Sequence, residues 1–311
     1  MTGAAVYSSS CTRIDDLVRV TRDQSASRED RLGAGTELAR VGDPRAGVLT
    51  LEPAWCRVDA GVFVMGSAAE DSQAYPYERP QALVRLPAFR IARYPVTNGQ
   101  WERFIDAGGY QDPRWWSADG WSTARSFAWT APRFWREESS TRNRTNHPVV
   151  GVCWYEALAY CAWLSGELRY DVEVCTEAQW EKAARGTDGR IYPFGDELDL
   201  DAVHASDTEP PSTTAPVGCY PRGVSPYGVE DMVGNTYAWT TSRWGPVAVA
   251  PLFGYEYRPD DGREAIASND YRVVRGGAWS FPLRHVRCAY RGKDRPADAF
   301  DNLGVRLVSR V

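Results

Sequence analysis

No stretch of this 311-residue chain comes near the ~18 consecutive apolar residues that a membrane-spanning helix requires. The opening MTGAAVYSSSCTRIDD has neither the charged nor the apolar region of a secretory signal, so the expected location is the cytoplasm. Histidine is scarce: His147, His204 and His285 lie far apart, and no Cys-x-x-Cys occurs, so no structural zinc pattern is visible. The 7 cysteines, Cys11, Cys56, Cys153, Cys161, Cys175, Cys219 and Cys288, are odd in number and scattered. That argues against a disulfide framework and for buried thiols. Excess positive charge is missing as well. The 36 basic against 41 acidic residues leave a net charge of -5, so no whole-chain field attracts a polyanion and nucleic acid is not the expected partner. Lysine occurs only at Lys182 and Lys293, a bias read as composition rather than function.

What is present is the composition of a globular protein, 43% hydrophobic and 12% aromatic. Residues 1–50 read as an N-terminal helical accessory segment, with one or two short helices over 13–46 before the Asp43-Pro44 break. Residues 51–311 read as the main domain. It opens near Pro53 with CRVDAGVFVMGS, a hairpin candidate with turn glycines at Gly61 and Gly66. Thr97-x-x-Gln100 and Thr176-x-x-Gln179 are capping boxes that should start helices running to about Asp106 and to Gly186. A third helix is expected over about 153–165, where Ala157, Cys161 and Leu164 share a face. Residues 108–147 and 187–230 are long connections without periodicity. Trp115, Trp116, Trp121, Trp129 and Trp135 offer a stacking platform for a sugar or base, but packing beneath irregular loops is the preferred reading.

The stretches FRIARYPVTNGQWERFI, HPVVGVCWYEALAYCAWLSGE, TEAQWEKAARGTDGRIYPFGDE, SPYGVEDMVGNTYAWT and RVVRGGAW…RCAYR…NLGVRLV occur in this order. Together they resemble the formylglycine-generating enzyme (sulfatase-modifying factor) family over about residues 55–308. The resemblance implies an α+β, C-type lectin-like domain, loop-rich, with a small twisted sheet carrying the C-terminal strands. It also implies, for the family's enzymes, oxidation of a substrate cysteine with copper and O₂ by two cysteines between the Arg-Gly-Gly turn and the Arg-x-Ala-x-Arg strand.

In this chain that interval, Ala278–Val286, reads AWSFPLRHV and holds no cysteine. Soft Cu(I) needs thiolates, so the copper site implied by the resemblance is not expected. The carboxylate of the family's calcium site is replaced by Ala238. That leaves a weak candidate of backbone oxygens at Gly234 and Thr236, too few for an ion that takes six or more. No cofactor is therefore expected. A family branch with a histidine-rich helical bundle and an iron site is excluded for residues 1–50, which contain no histidine. Ser280, His285 and Asp294 show no nucleophile elbow, and Asp196, Glu197, Asp199 and Asp201 read as a solvated acidic loop. Gly276-Gly277 is a tight turn rather than a phosphate loop, since no Lys-Ser/Thr follows it.

The closing stretch is net basic. Arg275, Arg287, Arg291 and Arg306 fall on framework positions of the family, where guanidinium forks tie loops through bidentate contacts. Between them stand Trp279, Ser280, Phe281, Leu283, Arg284, His285, Tyr290, Lys293, Asp294, Arg295, Asp298, Phe300 and Asp301. Such a mixture of aromatic, charged and small polar residues reads as a ligand-binding face. The alternation of framework and idiosyncratic residues also resembles the variable proteins of diversity-generating retroelements. The expected function is a non-catalytic module that binds a protein or small-molecule ligand; the alternatives are a family enzyme with an altered site and a scaffold or regulatory subunit.

Overall fold

The computed structural model describes residues 4–135, 144–208 and 212–311, with side chains from residue 13 onward. The first helices are α1 (Ala4–Arg22) and α2 (Arg28–Val41), so the two-helix reading holds and the first helix starts well before residue 13. Ser27 caps α2 by accepting the Asp30 N–H at 3.1 Å. The hairpin is fitted closely to the main domain. A Cβ on Gly35 would lie 2.7 Å from the Cys219 sulfur, and the buried Arg31 donates its Nε to the Cys219 carbonyl at 3.1 Å. Asn146 donates to the Gly35 carbonyl at 2.8 Å.

The strands β1 (Trp55–Val58) and β2 (Gly61–Met65) correct the expected hairpin. They do not pair with each other: β2 pairs with β3 (Ala82–Leu86), and β1 pairs with β4 (Phe89–Ala92). The reason is local. The carbonyls of Asp59 and Gly61 both accept from the ammonium of Lys182, at 2.6 and 3.2 Å, so the turn is tied to a helix and the chain passes from one sheet into another.

Helix α3 (Asn98–Asp106) begins at the expected capping box, with the Thr97 hydroxyl and the Gln100 amide each serving the other's backbone N–H. Helix α4 (Ala118–Ser126), capped by Ser117, lies inside what reads as a loop; small polar residues gave it no helical stripe. Helix α5 (Trp154–Leu168) runs past Gly166 because Arg169, not a glycine, adopts the left-handed terminating conformation, at φ 59°. After β5 (Glu173–Val174), α6 (Glu177–Arg185) starts at the second capping box and ends at Gly186, where φ is +76°. Residues 136–143 and 209–211 of the two long connections lie outside the described residues.

The remaining strands are β6 (Tyr237–Gly245), β7 (Tyr271–Arg275), β8 (Arg291–Asp294), β9 (Leu303–Gly304) and β10 (Leu307–Arg310). They complete two four-stranded sheets, ordered β1-β4-β10-β5 and β8-β7-β6-β9. One core gathers around α5 with Trp101, Tyr160, Leu164 and Trp239, and a second around α6 with Phe63, Ile91, Trp180 and Met232. Cys56, Cys153, Cys161, Cys175, Cys219 and Cys288 are buried free thiols, as the sequence implied; Cys11 is not among the described side chains. β8 is an outer strand; the chain before it is buried from His285 to Tyr290, while Lys293 and Asp294 at its C-terminal end are partly exposed and Arg295 just beyond is exposed.

Candidate ligand-recognition site

The site begins with its supports. Arg287 grips Glu78 through two contacts of 2.7 and 2.9 Å and also reaches Asp71 at 3.1 Å and the Gln73 carbonyl at 3.0 Å. This clamps the 71–78 loop onto the chain before β8. Arg291 forms a matching fork with Glu177, at 2.8 and 2.9 Å, and donates to the Tyr77 carbonyl at 3.2 Å. Arg275 is paired with Glu181 and donates to the Ala289 and Cys288 carbonyls at 3.1 and 2.7 Å. Arg306 ties two segments through four carbonyls, those of Ala92, Arg93, Glu230 and Asp231.

What these clamps hold is a cluster of rings. Tyr75 and Tyr77 stack at 5.2 Å, His285 stacks on Tyr290 at 4.3 Å, and Tyr75 meets Tyr290 edge-on at 5.8 Å. Phe281 packs against Tyr237 at 5.1 Å, and Tyr77 against Trp244 at 5.1 Å. The Tyr75 hydroxyl and His285 Nε2 are 3.2 Å apart. Tyr75, Tyr77 and Phe281 are only half-buried, so the cluster has an open side.

Asp294 lies at the end of β8 beside Tyr237 and Tyr290, whose hydroxyls feel its charge. Among the described residues its carboxyl has no hydrogen-bond or ion-pair partner. Burial, then the nearby charge of Asp298, pushes its pKa up to about 7, with Lys293 opposing. Burial and the neighbouring Arg284 and Arg287 push His285 down to about 4, so its imidazole is neutral at pH 7. Its Nδ1 is buried without a partner among the described residues. Burial, the largest influence on each, holds the Tyr290 hydroxyl up at about 12 and Tyr237 well above its ordinary value; both remain protonated.

The residues expected to form one face are divided by the fold. Phe281, His285, Tyr290 and Asp294 meet in the ring cluster, with Arg284 lying 5.9 Å from the Tyr75 ring and Lys293 5.5 Å from the Trp244 ring. His285 and Tyr290 are buried; Ser280, Arg284, Arg295 and Phe300 are exposed; the others are intermediate. Trp279 and Ser280 tie to the far side of the loop, through the Asp301 carbonyl at 3.2 Å and the Asn302 amide at 2.8 Å. Leu283 donates its N–H to Asp207 at 3.0 Å. Arg295 donates to the Tyr271 hydroxyl at 3.0 Å, and Asp298 and Phe300 line a separate cavity. Tyr75, Tyr77, Tyr237 and Trp244 were absent from the sequence reading. The repeat Tyr75-Pro76-Tyr77 was the signal for the first two, and only the folded register brings in the others.

The residues present do not fit the redox metals the family implies. Cys288 is fully buried in the α6 core, and burial pushes its thiol up to about 12, far from a thiolate at neutral pH. His285 and Asp294 are the metal-binding types at the cluster, and among the described residues no group of three or more His, Cys, Asp or Glu is arranged to hold a metal ion. At the calcium candidate, the Gly234 carbonyl accepts the Thr236 N–H at 2.7 Å and Ala238 faces the α6 core. Asp199 and Asp201 of the acidic loop pair with Arg222 at 2.9 and 3.5 Å. No described helix is long and apolar enough to cross a membrane.

A mixed α+β domain with clamped loops and a ring cluster beside an outer strand defines a C-type lectin-like fold of the formylglycine-generating type. The chain belongs to the sulfatase-modifying factor enzyme 1-like domain family, whose profile matches residues 44–311. It is 40% identical over 261 residues to the hercynine oxygenase of Mycobacterium tuberculosis, covering 79% of this chain and 58% of that protein. The chain therefore spans little more than half of that relative's length. The formylglycine-generating enzyme of Bos taurus is 29% identical over 294 residues, covering 81% of this chain and 73% of that one. Treponema denticola variable protein 1 shares the fold, with a TM-score of 0.60, 20% identity, and 83% of this chain and 95% of that chain covered. At that identity the likeness to a variable protein is one of fold alone.

Proposed function

We propose that this domain recognises a small organic cation at the ring cluster, with Asp294 as the counter-charge. The observation that carries the reading is the carboxyl of Asp294, set among aromatic rings and left without a partner. Partial burial without a partner disfavours the charged form of this carboxyl. A cation laid against the faces of Tyr75 and Tyr77 would restore its charged form and gain about 0.5–2 kcal/mol from the rings. The reading is tested by calorimetric titration with choline and with its uncharged isostere 3,3-dimethylbutanol. Choline should bind at least ten times more tightly, and Asp294→Asn should erase the difference. Equal binding of the two, or binding of neither, sinks it.

The identity to hercynine oxygenase favours a second reading, in which recognition serves an oxidation. The chain's described residues supply substrate contact and protonated tyrosine hydroxyls but no fitting set of metal ligands. Incubating hercynine with the protein, O₂ and either Fe(II) or Cu(I), followed by mass spectrometry, separates the two. An oxygenated product dependent on Asp294 would make the domain an enzyme; unchanged hercynine would leave recognition alone.

A further inference from the structure

A second opening lies apart from the ring cluster, between the chain after α4 and the loop after β8. It is a cavity of about 740 Å³ whose walls include Phe127, Trp129, Trp135 and Phe300, with Glu156 and Asp298 among its polar members. That size is in the range that encloses a drug-sized ligand. Its walls are fixed by backbone bonds through one residue: the Gly151 N–H donates to the Phe300 carbonyl at 2.8 Å, and the Gly151 carbonyl accepts the Arg133 N–H at 2.9 Å. The Arg133 guanidinium adds a bond to the Ala299 carbonyl at 3.3 Å.

Two further features set this cavity apart from a packing gap. Phe127 and Phe300 stand at its walls 67% and 42% exposed, although large apolar rings are normally covered. Ala128, between Phe127 and Trp129, has φ +50°, a left-handed conformation that is uncommon for a residue with a Cβ. That turn brings the Phe127 and Trp129 rings into a stack, 5.9 Å apart and 13° from parallel. Backbone strain held in place while it presents two aromatic faces to an open cavity is the pattern of a binding site rather than of a core.

We propose that this cavity is a second, separate binding site for a flat, uncharged aromatic small molecule, taken up between the Phe127–Trp129 stack and Phe300. Charge selects the class. Glu156 is buried and already accepts from the Tyr110 hydroxyl at 2.5 Å and the Cys153 N–H at 2.7 Å. Beside it the lining holds one group of each sign, the Asp298 carboxylate and the Arg133 guanidinium, so neither a cation nor an anion is favoured. Ring area is what remains, and stacking is tolerant of the ring's identity.

The test titrates the purified chain with N-phenyl-1-naphthylamine, a neutral probe whose emission rises in apolar surroundings. Saturable binding at one site is expected, with energy transfer from tryptophan. Phe127→Ala and Phe300→Ala remove exposed rings and should leave the melting temperature within a few degrees while weakening the probe about tenfold each. Tyr75→Ala, in the ring cluster, should leave probe binding unchanged. Absence of saturable binding overturns the proposal. So does loss of binding in Tyr75→Ala with none in the two phenylalanine variants, which would place the probe at the ring cluster instead. Neither result bears on whether choline binds at Asp294.

Discussion

Arg287 and Asp294 belong to the same closing stretch, and the fold treats them in opposite ways. Arg287 is buried with two carboxylates and two carbonyls around it. Asp294 is half-buried, without a hydrogen-bond or ion-pair partner among the described residues, near the charges of Asp298 and Lys293. The first arrangement is how a loop-rich domain replaces the regular hydrogen bonding it lacks: each fork joins segments far apart in sequence, here the 71–78 loop to the chain before β8. The second arrangement stabilises nothing as it stands. Under the proposed function, that open carboxyl is the group a bound cation would pair with.

The largest effect should come from breaking the framework where it is most buried. Arg275→Met removes one of the two guanidinium partners of Glu181, Arg185 remaining at 2.7 Å, and leaves the Cys288 and Ala289 carbonyls without their donor, in a site where both side chains of the pair are fully covered. Removing one partner of such a pair costs about 3–5 kcal/mol. Denaturant unfolding should show that loss, and stability equal to the parent would mean that the forks are not what holds the loops. Arg287→Ala should cost less, about 3 kcal/mol, since the buried Glu78 keeps the Ser67 hydroxyl as a donor at 2.8 Å and Asp71 is partly exposed and can turn to water. It should also weaken choline by freeing the loop that carries Tyr75 and Tyr77. Stability and binding fall together there, whereas Tyr75→Ala should cost about 1 kcal/mol of choline binding and shift the melting temperature little. If Tyr75→Ala unfolds the protein, the rings are core and the contrast with the framework disappears.

The sequence made the framework more legible than the site, for a physical reason. Arg275, Arg287, Arg291 and Arg306 sit at spacings that the family shares, and the capping boxes at Thr97 and Thr176 are local patterns complete within four residues. The ring cluster has no such pattern. Tyr75, Tyr237, Trp244 and Tyr290 come from three separated segments, and their meeting depends on the register of β6, β7 and β8 and on the Arg287 clamp. The one-face reading of residues 279–301 failed to anticipate the division because Trp279 and Ser280 bond across to Asp301 and Asn302. That cross-link turns Asp298 and Phe300 toward Trp129 rather than toward His285.

The smallest effect expected is also the most diagnostic of Asp294. An unfolded aspartate titrates near ~3.9, while burial, with Asp298 adding to it, raises Asp294 in the folded protein to about 7. Between those values the native state holds a proton that the unfolded state has released. Its contribution to stability is therefore complete below about pH 4 and is lost as the pH rises toward 7. Glu156 and Glu230, each also raised to about 7 chiefly by burial, give slopes of the same sign, so the parent alone is uninformative. The informative quantity is the difference between parent and Asp294→Asn, in which those two slopes cancel. Asparagine should gain on the parent from pH 4 to 7 by no more than about 1 kcal/mol, because the partly exposed carboxyl is screened by water. Saturating choline should reverse the trend: a bound cation favours the carboxylate, draws its pKa down, and returns to the parent the stability that asparagine cannot recover. A difference that stays flat with pH, with and without choline, would show that Asp294 titrates as an ordinary surface aspartate and was never reserved for a cation.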